Sequence, residues 1–459
     1  MVSEELDKAL KEVGVIGAAG KMGRGISLLL LQEMAKQEAQ HTGSVGKGAG
    51  KLNLIDNGEH LFVGLKSYLK SHIIKYAEKN INMLREAYAR DPKLVSNEEI
   101  IQAFVEGAMD LLRFDTNLDR VKDCRMIFEA IVEDIDAKAR LFGKLDALCH
   151  PETYYFTNTS TIPIGILQDK AELGNRIIGY HFYNPPHIQK LVEVIYPDNV
   201  DPSIKELSLE LGQTLKKIIV TSKDVAGFIG NGHFIREIHY TCEMVTKLAK
   251  QMPLTEAIYV MNRVTKDYLI RPMGMFQLID YVGLDVVQRI AKIMQTYLSP
   301  EKFENNLVDN MLNAGISGGQ YPDGSQKDGF FKYEKNVPVG IHSIEEKKYH
   351  LFAEGNWPKE CDRNLGELPE GYFPWKKLVN DPTRNEKLTA YFQNLFKDSS
   401  KGSELAREFL DNSRNIARKL VKDGVCQNMD DLNKVLENGF FHLYGADSIF
   451  LKESSYETT

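Results

Sequence analysis

The chain has 459 residues, of which 43% are hydrophobic and 26% charged. A chain of this length exceeds what a single hydrophobic core usually supports, so two or three domains are expected. The 57 basic and 64 acidic residues give a net charge of -7, which provides no general attraction to nucleic acid, and we expect no nucleic-acid partner.

The cysteines and the N-terminal segment bear on the compartment. The five cysteines lie far apart and form no C-x-x-C pair, so neither a disulfide framework nor a zinc site is predicted, and no other metal site is expected. The N-terminal segment is acidic and polar, and no apolar run reaches the roughly 18 residues of a membrane helix. We therefore predict a cytoplasmic protein without membrane insertion.

In chain order, the first half of the sequence alternates short apolar runs with helical segments. The run Val13–Ile16 leads through a glycine cluster into a helical segment, Ile26–Ala35, as in a strand, turn and helix. A second strand, Leu52–Ile55, follows a polar, glycine-rich segment, Gln37–Gly50, which we interpret as a surface insertion. Helical spacing over Leu61–Leu112 predicts two helices with no strand between them.

Strand patterns then return and again alternate with helices. Strands are predicted at Met126–Val132, Tyr154–Phe156, Ile177–His181, Val192–Ile195 and Ile218–Val220, and helices at Ala137–Leu148 and Ser203–Leu215. This alternation is typical of a doubly wound, largely parallel sheet. It predicts an α/β Rossmann-type domain at residues 1–222.

The second half of the sequence is mainly helical in pattern. Helices are predicted at Phe234–Lys250, Leu254–Lys266, Met275–Leu298, Glu304–Ala314, Ser403–Asp423 and Met429–Leu436, and loops over Gly315–Trp375. We expect all-α C-terminal domains at residues 223–335 and 336–459. The segment Ser413–Phe450 has the pattern of a diverged copy of Ile238–Phe276, so an internal duplication is one interpretation.

The glycine cluster after the first strand fits a phosphate-binding turn. Gly17, Gly20 and Gly23 permit a tight turn and a close approach of backbone N–H groups, and the following helix N-terminus faces the anion. We assign the intervening Lys21 and Met22 to the same site. The spacing G-x-x-G-x-x-G is one residue longer than the usual fingerprint, and a glycine turn without a ligand is the alternative.

Asp56 ends the second predicted strand. An acidic side chain there can bond both ribose hydroxyls and repel a 2′-phosphate, which favours NAD over NADP. Its distance from Gly23 exceeds the usual spacing of about 20 residues, which we ascribe to the insertion. A solvated loop aspartate is the alternative.

Polar residues also follow three later strands. These are Asn158-Thr159-Ser160, the segment from His181 to Pro185, and Glu193. Open α/β sheets bind ligands at the carboxyl ends of their strands, where a histidine can accept a proton and a carboxylate can orient its ring. Taken singly, His181 is more typical of a structural histidine and Glu193 of a surface charge.

Together these motifs resemble the 3-hydroxyacyl-CoA dehydrogenase family. The resemblance runs from about Val13 to Asp285 and rests on VIGAAGKMGRGI, FEAIVEDIDAKARLF, FTNTSTIPI, IIGYHFYNPPHIQKLVEVI, SKDVAGFIGN and RPMGMFQLIDYVGLD. The spacing agrees as well, since His181 lies 21 residues after Ser160, and Glu193 and Asn231 lie 12 and 50 residues after His181.

The resemblance implies NAD-dependent oxidation of an L-3-hydroxyacyl-CoA to the 3-ketoacyl-CoA, and the reverse, as in fatty acid β-oxidation and lipid metabolism. It implies that His181 is the general base and acid and that Glu193 holds the imidazole. It implies that Ser160 and Asn231 bond the reacting oxygen and the surroundings of the histidine.

By the same resemblance, four further residues contact the cofactor. Glu133 and Lys138 take positions beside its nicotinamide half, Asn158 lies in the same site, and Asn184 contacts cofactor and substrate. Taken alone, these residues are also typical of a strand-end carboxylate, a helix-surface lysine and turn asparagines.

Coenzyme A needs basic partners for its phosphates. The family places its coenzyme-A-binding helices after the second strand, where this chain has Lys66, Lys70, Lys75 and Lys79, and we assign Lys75 and Lys79 to the substrate site. A solvated lysine-bearing face is the alternative.

Some positions depart from the family pattern. Gly232 stands where the family usually has an arginine, and Val225-Ala226 where it has Thr-Pro, which we expect to alter acyl-chain preference or rate. About 12 residues precede the first strand, so hydratase activity is not expected. We expect a monomer or homodimer, with a thiolase or a hydratase as candidate partner.

Two other functions remain open on the sequence alone. One is an NAD-dependent dehydrogenase of a free hydroxy acid or hydroxylated amine, and the other is a non-catalytic nucleotide-binding or scaffolding module. A His-Glu pair at family spacing favours an enzyme, because a binding role does not require it.

Overall fold

The computed structural model describes residues 3–48, 50–321 and 324–451, which divide into two compact units between Asp224 and Val225. Among these residues, no helix combines the length and the apolar character needed to cross a membrane.

The first unit is built on an eight-stranded sheet, counted over its described residues, with the order β3-β2-β1-β4-β5-β6-β7-β8. Its strands are β1 (Glu12–Ile16), β2 (Lys51–Ile55), β3 (Leu112–Asp115), β4 (Met126–Glu129), β5 (Tyr154–Thr157), β6 (Ile177–Phe182), β7 (Leu191–Tyr196) and β8 (Ile218–Lys223). Neighbouring strands are parallel except for β6 and β7, which are antiparallel. The predicted doubly wound, largely parallel sheet is confirmed.

Helices cover both faces of this sheet, as the crossovers between parallel strands require. They are α1 (Glu4–Ala9), α2 (Lys21–Thr42), α3 (His60–Lys79), α4 (Ile81–Ala87), α5 (Asn97–Asp110), α6 (Ile135–Leu148), α7 (Ile164–Ala171) and α8 (Pro202–Thr214). The central strands β4 and β6 are buried along their whole length, which explains their mainly apolar sequences, although Glu129 in β4 and His181 in β6 are buried as well.

Two predictions for this unit were wrong. The predicted insertion Gln37–Gly50 is helical up to Thr42, because Gln37 and Ala39 are buried on α2. After the helix, the carboxylate of Glu38 accepts the N–H groups of Gly46 and Gly48 and so holds the chain back against α2. Residue 49 lies outside the described residues. The segment Leu61–Leu112 holds three helices rather than two, followed by the unpredicted edge strand β3.

The second unit is mainly helical, as predicted. Its helices are α9 (Gly230–Leu248), α10 (Leu254–Arg263), α11 (Met275–Val282), α12 (Leu284–Tyr297), α13 (Asn306–Asn313), α14 (Trp357–Leu365), α15 (Trp375–Leu378), α16 (Arg384–Lys397), α17 (Lys401–Lys422) and α18 (Met429–Gly439). The single predicted helix Met275–Leu298 is broken at Gly283, whose φ of 106° is open to glycine but strained for other residues.

The prediction of loops over Gly315–Trp375 was wrong. This part forms an antiparallel sheet of β9 (Phe331–Glu334), β10 (Val337–Ser343) and β11 (Lys348–Leu351), followed by α14. The buried carboxylate of Asp280 holds the sheet against α11 by accepting the N–H groups of Phe330 and Phe331. Local sequence could not reveal this, because the anchor is distant in the chain.

One hydrophobic core, from Ala226 to Leu451, runs through the described part of the second unit and spans the predicted division between residues 335 and 336. That division stays a prediction. At the core's polar centre, Arg271 donates to both carboxylate oxygens of Glu237 at 3.1 and 3.0 Å. Burial alone raises the pKa of Glu237, but Arg271 and then His233 outweigh it and lower the pKa to about 2.

Three features recur in the second unit at a constant separation of 171 residues, which supports the duplication. A Cβ on Gly274 would lie 2.2 Å from the amide oxygen of Asn262, and one on Gly445 would lie 2.1 Å from that of Asn433. Before each glycine, one residue has a positive φ, 47° at Ile270 and 57° at Phe441. Both segments therefore end with the same close approach of a glycine to a helix asparagine.

Candidate active site

The turn between β1 and α2 has the geometry of a dinucleotide-binding turn. Gly17 has a φ of 77°, and a Cβ on Gly23 would lie 2.0 Å from the carbonyl oxygen of Gly17. Gly20 is the N-cap residue of α2 and has no side chain that could accept a hydrogen bond from the first N–H groups of the helix. Lys21 and Met22 form the first turn of α2. The glycines thus permit the tight turn and the close packing at the start of α2 that a dinucleotide-binding turn requires.

Asp56 follows β2, as predicted, and also contacts this turn. Its Oδ2 accepts the N–H of Ala19 at 2.8 Å, and its Oδ1 accepts the N–H of Asn57 at 2.8 Å. Ala19 is one of the two residues between Gly17 and Gly20, where the usual fingerprint has one. The longer turn is therefore tied to the acidic residue that is predicted to bind the ribose.

Glu133 organises the turn after β5. Its Oε1 accepts the N–H of Ser160 at 2.9 Å, the N–H of Thr161 at 3.1 Å and the hydroxyl of Thr159 at 2.6 Å. These bonds fix the backbone around Ser160 from the neighbouring strand connection. Glu133 therefore positions Ser160, the predicted substrate-binding serine.

Lys138 is a buried residue of α6 rather than a surface lysine. Its Nζ lies 2.6 Å from Oε1 of Glu129 and 3.5 Å from Oε2 of Glu133. Burial alone lowers the pKa of Lys138, but the carboxylates of Glu129 and Glu133 outweigh it and hold the pKa above its usual value. Glu129 is also bound by the hydroxyl of Thr157 at 2.6 Å. The ends of β4 and β5 and the start of α6 thus share one ionic network.

His181 and Glu193 form a buried pair across β6 and β7. They are directly opposite in the antiparallel register, and Nδ1 of His181 lies 2.9 Å from Oε2 of Glu193. The exposed fraction is 8% for His181 and 0% for Glu193. Since Nδ1 is engaged with the carboxylate, the imidazole is held in one orientation. The prediction that these two side chains are adjacent agrees with this geometry.

The two predicted asparagines lie at neighbouring strand ends. Asn158 follows β5, and its side-chain oxygen accepts the N–H of Phe182 at 2.9 Å, which joins the carboxyl ends of β5 and β6. Asn184 follows β6 and is partly buried. Both therefore lie at the edge of the sheet where open α/β sheets bind ligands.

A cluster of aromatic and basic side chains lies between α3 and the segment after β6. The hydroxyl of Tyr68 lies 3.3 Å from Nδ1 of His187, and the guanidinium of Arg24 lies 5.0 Å from the centre of the Tyr68 ring. The rings of His72 and His187 are 5.3 Å apart. Burial lowers the pKa of His187 to about 4, with His72, Lys217 and Arg24 adding to the effect. His187 is therefore neutral at physiological pH.

Lys75 and Lys79 share the α3 face of this cluster. Lys75 lies seven residues after Tyr68 and Lys79 seven after His72, which at 3.6 residues per turn is about two turns. Both lysines are exposed. We call Tyr68, His72, Lys75 and Lys79 the α3 basic face.

Lys66 and Lys70 lie elsewhere on the same helix. At about 100° per residue, each is turned by about 140 to 180° from the two lysines of the α3 basic face. The four lysines of α3 therefore do not form one stripe.

Asn231 lies in the first turn of α9, in the second unit. Its predicted role at the reacting oxygen stays a prediction. At the neighbouring Gly232, Nη1 of Arg236 donates to the carbonyl oxygen at 2.7 Å. An arginine one turn later on the helix thus contacts the position where the family pattern has its own arginine.

The sequence reasoning missed two residues of this site. Tyr183 donates its hydroxyl to Oε2 of Glu193 at 2.9 Å, and Glu129 bonds Lys138. Tyr183 could have been considered because it lies two positions after His181, directly beyond the end of β6. Nothing in the sequence distinguishes Glu129 from an ordinary charged residue at the end of a strand.

The comparisons with known proteins cover parts of both units. Residues 63–225 match the model of the 3-hydroxyacyl-CoA dehydrogenase, NAD binding domain, and residues 227–333 match that of the 3-hydroxyacyl-CoA dehydrogenase, C-terminal domain. The predicted cofactor, NAD, is thereby confirmed. The first match begins after the glycine turn and Asp56, so the assignment of those residues to the cofactor site depends on their geometry.

The chain is similar to a probable 3-hydroxyacyl-CoA dehydrogenase of Caenorhabditis elegans, with 34% identity over 50% of this chain and 72% of that protein. It is 30% identical to the mitochondrial hydroxyacyl-coenzyme A dehydrogenase of Sus scrofa over 71% of this chain and 92% of that protein. It is also 28% identical to the glyoxysomal fatty acid beta-oxidation multifunctional protein MFP-a of Cucumis sativus, over 61% of this chain but only 37% of that longer protein.

A solved structure extends the likeness through the second unit. The 3-hydroxybutyryl-CoA dehydrogenase of Escherichia coli has the same fold with a TM-score of 0.62, at 18% identity, over 95% of this chain and 90% of that one. The fold similarity thus includes residues beyond 335. With the two matched domains and the identities above, the chain belongs to the 3-hydroxyacyl-CoA dehydrogenase family.

Proposed function

We propose that this protein oxidises L-3-hydroxyacyl-CoA to 3-ketoacyl-CoA with NAD, and catalyses the reverse reaction, with His181 as general base and acid. The observation that carries the proposal is the buried His181–Glu193 pair, 2.9 Å apart, at the ligand-binding edge of a sheet that also carries a dinucleotide-binding turn.

The residues present fit the cofactor. The glycine turn brings the uncapped N-terminus of α2 to the end of β1, as pyrophosphate binding requires, and Asp56 follows β2, where the acidic residue that binds the ribose is expected. When bound, the nicotinamide supplies the acceptor for the hydride that leaves C3 of the substrate. Glu133, held by Lys138, is proposed to bind beside that half of the cofactor, with Asn158 and Asn184 on the neighbouring strand ends.

His181 takes the proton of the C3 hydroxyl in this mechanism. Its Nδ1 is bonded to Glu193, so Nε2 is the nitrogen that accepts the proton, and the carboxylate stabilises the resulting imidazolium. Ser160, whose backbone is fixed by Glu133, bonds the reacting oxygen in this proposal, and the role of Asn231 at the same oxygen is proposed from the family resemblance alone. In the reverse direction the same imidazolium returns the proton.

We further propose that the α3 basic face binds the phosphates of coenzyme A. Two lysines supply positive charge and Tyr68 supplies an aromatic surface, beside the guanidinium of Arg24. A free hydroxy acid has no group that needs this face. Its composition therefore favours a coenzyme A thioester over the smaller substrates.

The test is the loss of NADH absorbance with acetoacetyl-CoA, acetoacetyl-pantetheine and acetoacetate as substrates. We expect turnover that is fastest, at low substrate concentration, with acetoacetyl-CoA. Oxidation of NADH by acetoacetate alone would contradict the thioester substrate, and no oxidation with any of the three would contradict the proposed reaction.

Matched variants test the assignment of the α3 basic face. Lys75→Ala combined with Lys79→Ala should raise the KM for acetoacetyl-CoA about tenfold, at about 1 kcal/mol or less for each exposed charge, without changing the KM for acetoacetyl-pantetheine. Lys66→Ala combined with Lys70→Ala removes the same charge from the other side of the helix. An equal effect of both pairs would contradict the assignment.

We propose a cytoplasmic location, a monomer or homodimer as the active form, and a hydratase or a thiolase as the neighbouring enzyme. A hydratase forms the 3-hydroxyacyl thioester and a thiolase cleaves the 3-ketoacyl thioester, so the chemistry of both partners fits the proposed reaction.

A further inference from the structure

The carboxylate of Glu193 has a second donor besides the predicted base. Oε2 of Glu193 lies 2.9 Å from Nδ1 of His181 and accepts the hydroxyl of Tyr183 at 2.9 Å. The rings of His181 and Tyr183 are also in contact, with centroids 4.8 Å apart and a tilt of 41°. One oxygen atom therefore joins the imidazole and the phenol.

The strand register accounts for the first of these two bonds. Glu193 on β7 is directly opposite His181 on β6, and Tyr183 is the first residue after β6, two positions beyond His181. From the end of the strand, the phenol reaches the same carboxylate and contacts the ring of His181. An aromatic residue without a hydroxyl could fill the same space but could not make this bond.

The environment keeps the Tyr183 hydroxyl a donor. Burial raises the pKa of Tyr183 well above its usual value, and the charge of Glu193 raises it further. The carboxylate is 0% exposed, so solvent has little access to it if a donor is lost. Two donors that approach the same oxygen from different directions hold it more firmly than either donor does.

We propose that Tyr183 is a positioning residue of the active site, which fixes the Glu193 carboxylate so that Oε2 faces Nδ1 of His181; this inference rests on the proposed function of His181. Tyr183 acts through Glu193, and Glu193 through the imidazole. The effect belongs to the chemical step, because the orientation of the base matters when the proton is transferred.

Tyr183→Phe tests this inference, because it removes one oxygen atom and keeps the ring. The matched control is Tyr180→Phe on β6, where the hydroxyl donates to the carbonyl oxygen of Ser208 at 3.1 Å on the face of the sheet opposite to His181. The first measurement is the proton NMR signal of the Nδ1–H of His181, assigned by its absence in His181→Asn. The second is kcat and KM with acetoacetyl-CoA and NADH.

For Tyr183→Phe, we expect the NMR signal to move and kcat to fall about threefold to tenfold, the worth of one hydrogen bond, while both KM values change by less than about twofold. Tyr180→Phe should leave the signal and kcat as in the wild type. An unchanged signal and kcat in Tyr183→Phe would overturn the inference, as would equal changes in both variants.

The NMR measurement separates this inference from the proposed function, because it needs no turnover. A wild-type protein that fails to reduce acetoacetyl-CoA, but whose signal moves in Tyr183→Phe alone, would overturn the reaction and leave the positioning contact supported. If the wild type is active but the signal stays unchanged in both variants, the reaction is supported and the positioning contact is overturned.

Discussion

Replacing Lys138 by methionine should destabilise the first unit through the buried ionic network. The side chains of Lys138 and Glu129 are 1% and 0% exposed, and Nζ lies 2.6 Å from the carboxylate oxygen. Removing one partner of a buried ion pair costs about 3–5 kcal/mol, because the other charge stays buried without compensation. Glu129 keeps the N–H of Ile131 and the hydroxyl of Thr157, each at 2.6 Å, so we expect the lower part of this range, about 3–4 kcal/mol.

The assay is urea and thermal unfolding of the wild type, Lys138→Met, Glu129→Gln and the double variant. At about 2–4 °C per kcal/mol, Lys138→Met should lower the melting temperature of this unit by about 6–16 °C. The double variant should be more stable than Lys138→Met alone, because it removes the unpaired charge. A loss below about 1 kcal/mol in Lys138→Met, or a double variant less stable than the single one, would refute the reasoning.

Two other predictions follow from the geometry. Gly23→Ala places a methyl group 2.0 Å from the carbonyl oxygen of Gly17 and should weaken NADH binding by about tenfold or more in calorimetric titration. Gly143→Ala on α6, where a Cβ would have no neighbour closer than 4.0 Å, is the control and should bind normally. The lowered pKa of Glu237, about 2, means that its stabilisation is present above the unfolded value near 4.5 and is lost as the pH falls from there towards 2. Urea unfolding should therefore show a larger loss of stability between pH 7 and pH 3 for the wild type than for Glu237→Gln, and equal losses would contradict this.

Most strands and helices of the first unit could be predicted, because their signals lie in short stretches of sequence. Buried parallel strands give short apolar runs, as in Val13–Ile16, and glycines mark the predicted phosphate-binding turn. The strand β3 was missed because it is short and lies at the edge of the sheet, where three of its four residues are only partly buried. The end of α2 was misplaced because glycine and polar residues suggest a loop, while burial of Ala39 favours the helix.

The residues of the candidate site differ in how far sequence could identify them. His181 and Glu193 could be paired through the family resemblance, and the structure accounts for the pair, because the antiparallel register of β6 and β7 places the two residues opposite each other. The burial of Lys138 could not be predicted, because the pattern of α6 alone does not show that Glu129 and Glu133, from the preceding strand and turn, lie beside its ammonium group. In the second unit, the sheet after Gly315 depends on its contact with Asp280, which no local pattern indicates.

The central claim is that His181, oriented by Glu193, transfers the proton that accompanies hydride transfer. Single-turnover reduction of acetoacetyl-CoA by protein-bound NADH tests it most directly, in the wild type, His181→Asn and Glu193→Gln. The account predicts that the rate falls about 10²- to 10⁴-fold in His181→Asn and by a smaller factor in Glu193→Gln, with unchanged NADH affinity in both. A rate in His181→Asn within about tenfold of the wild type would contradict it.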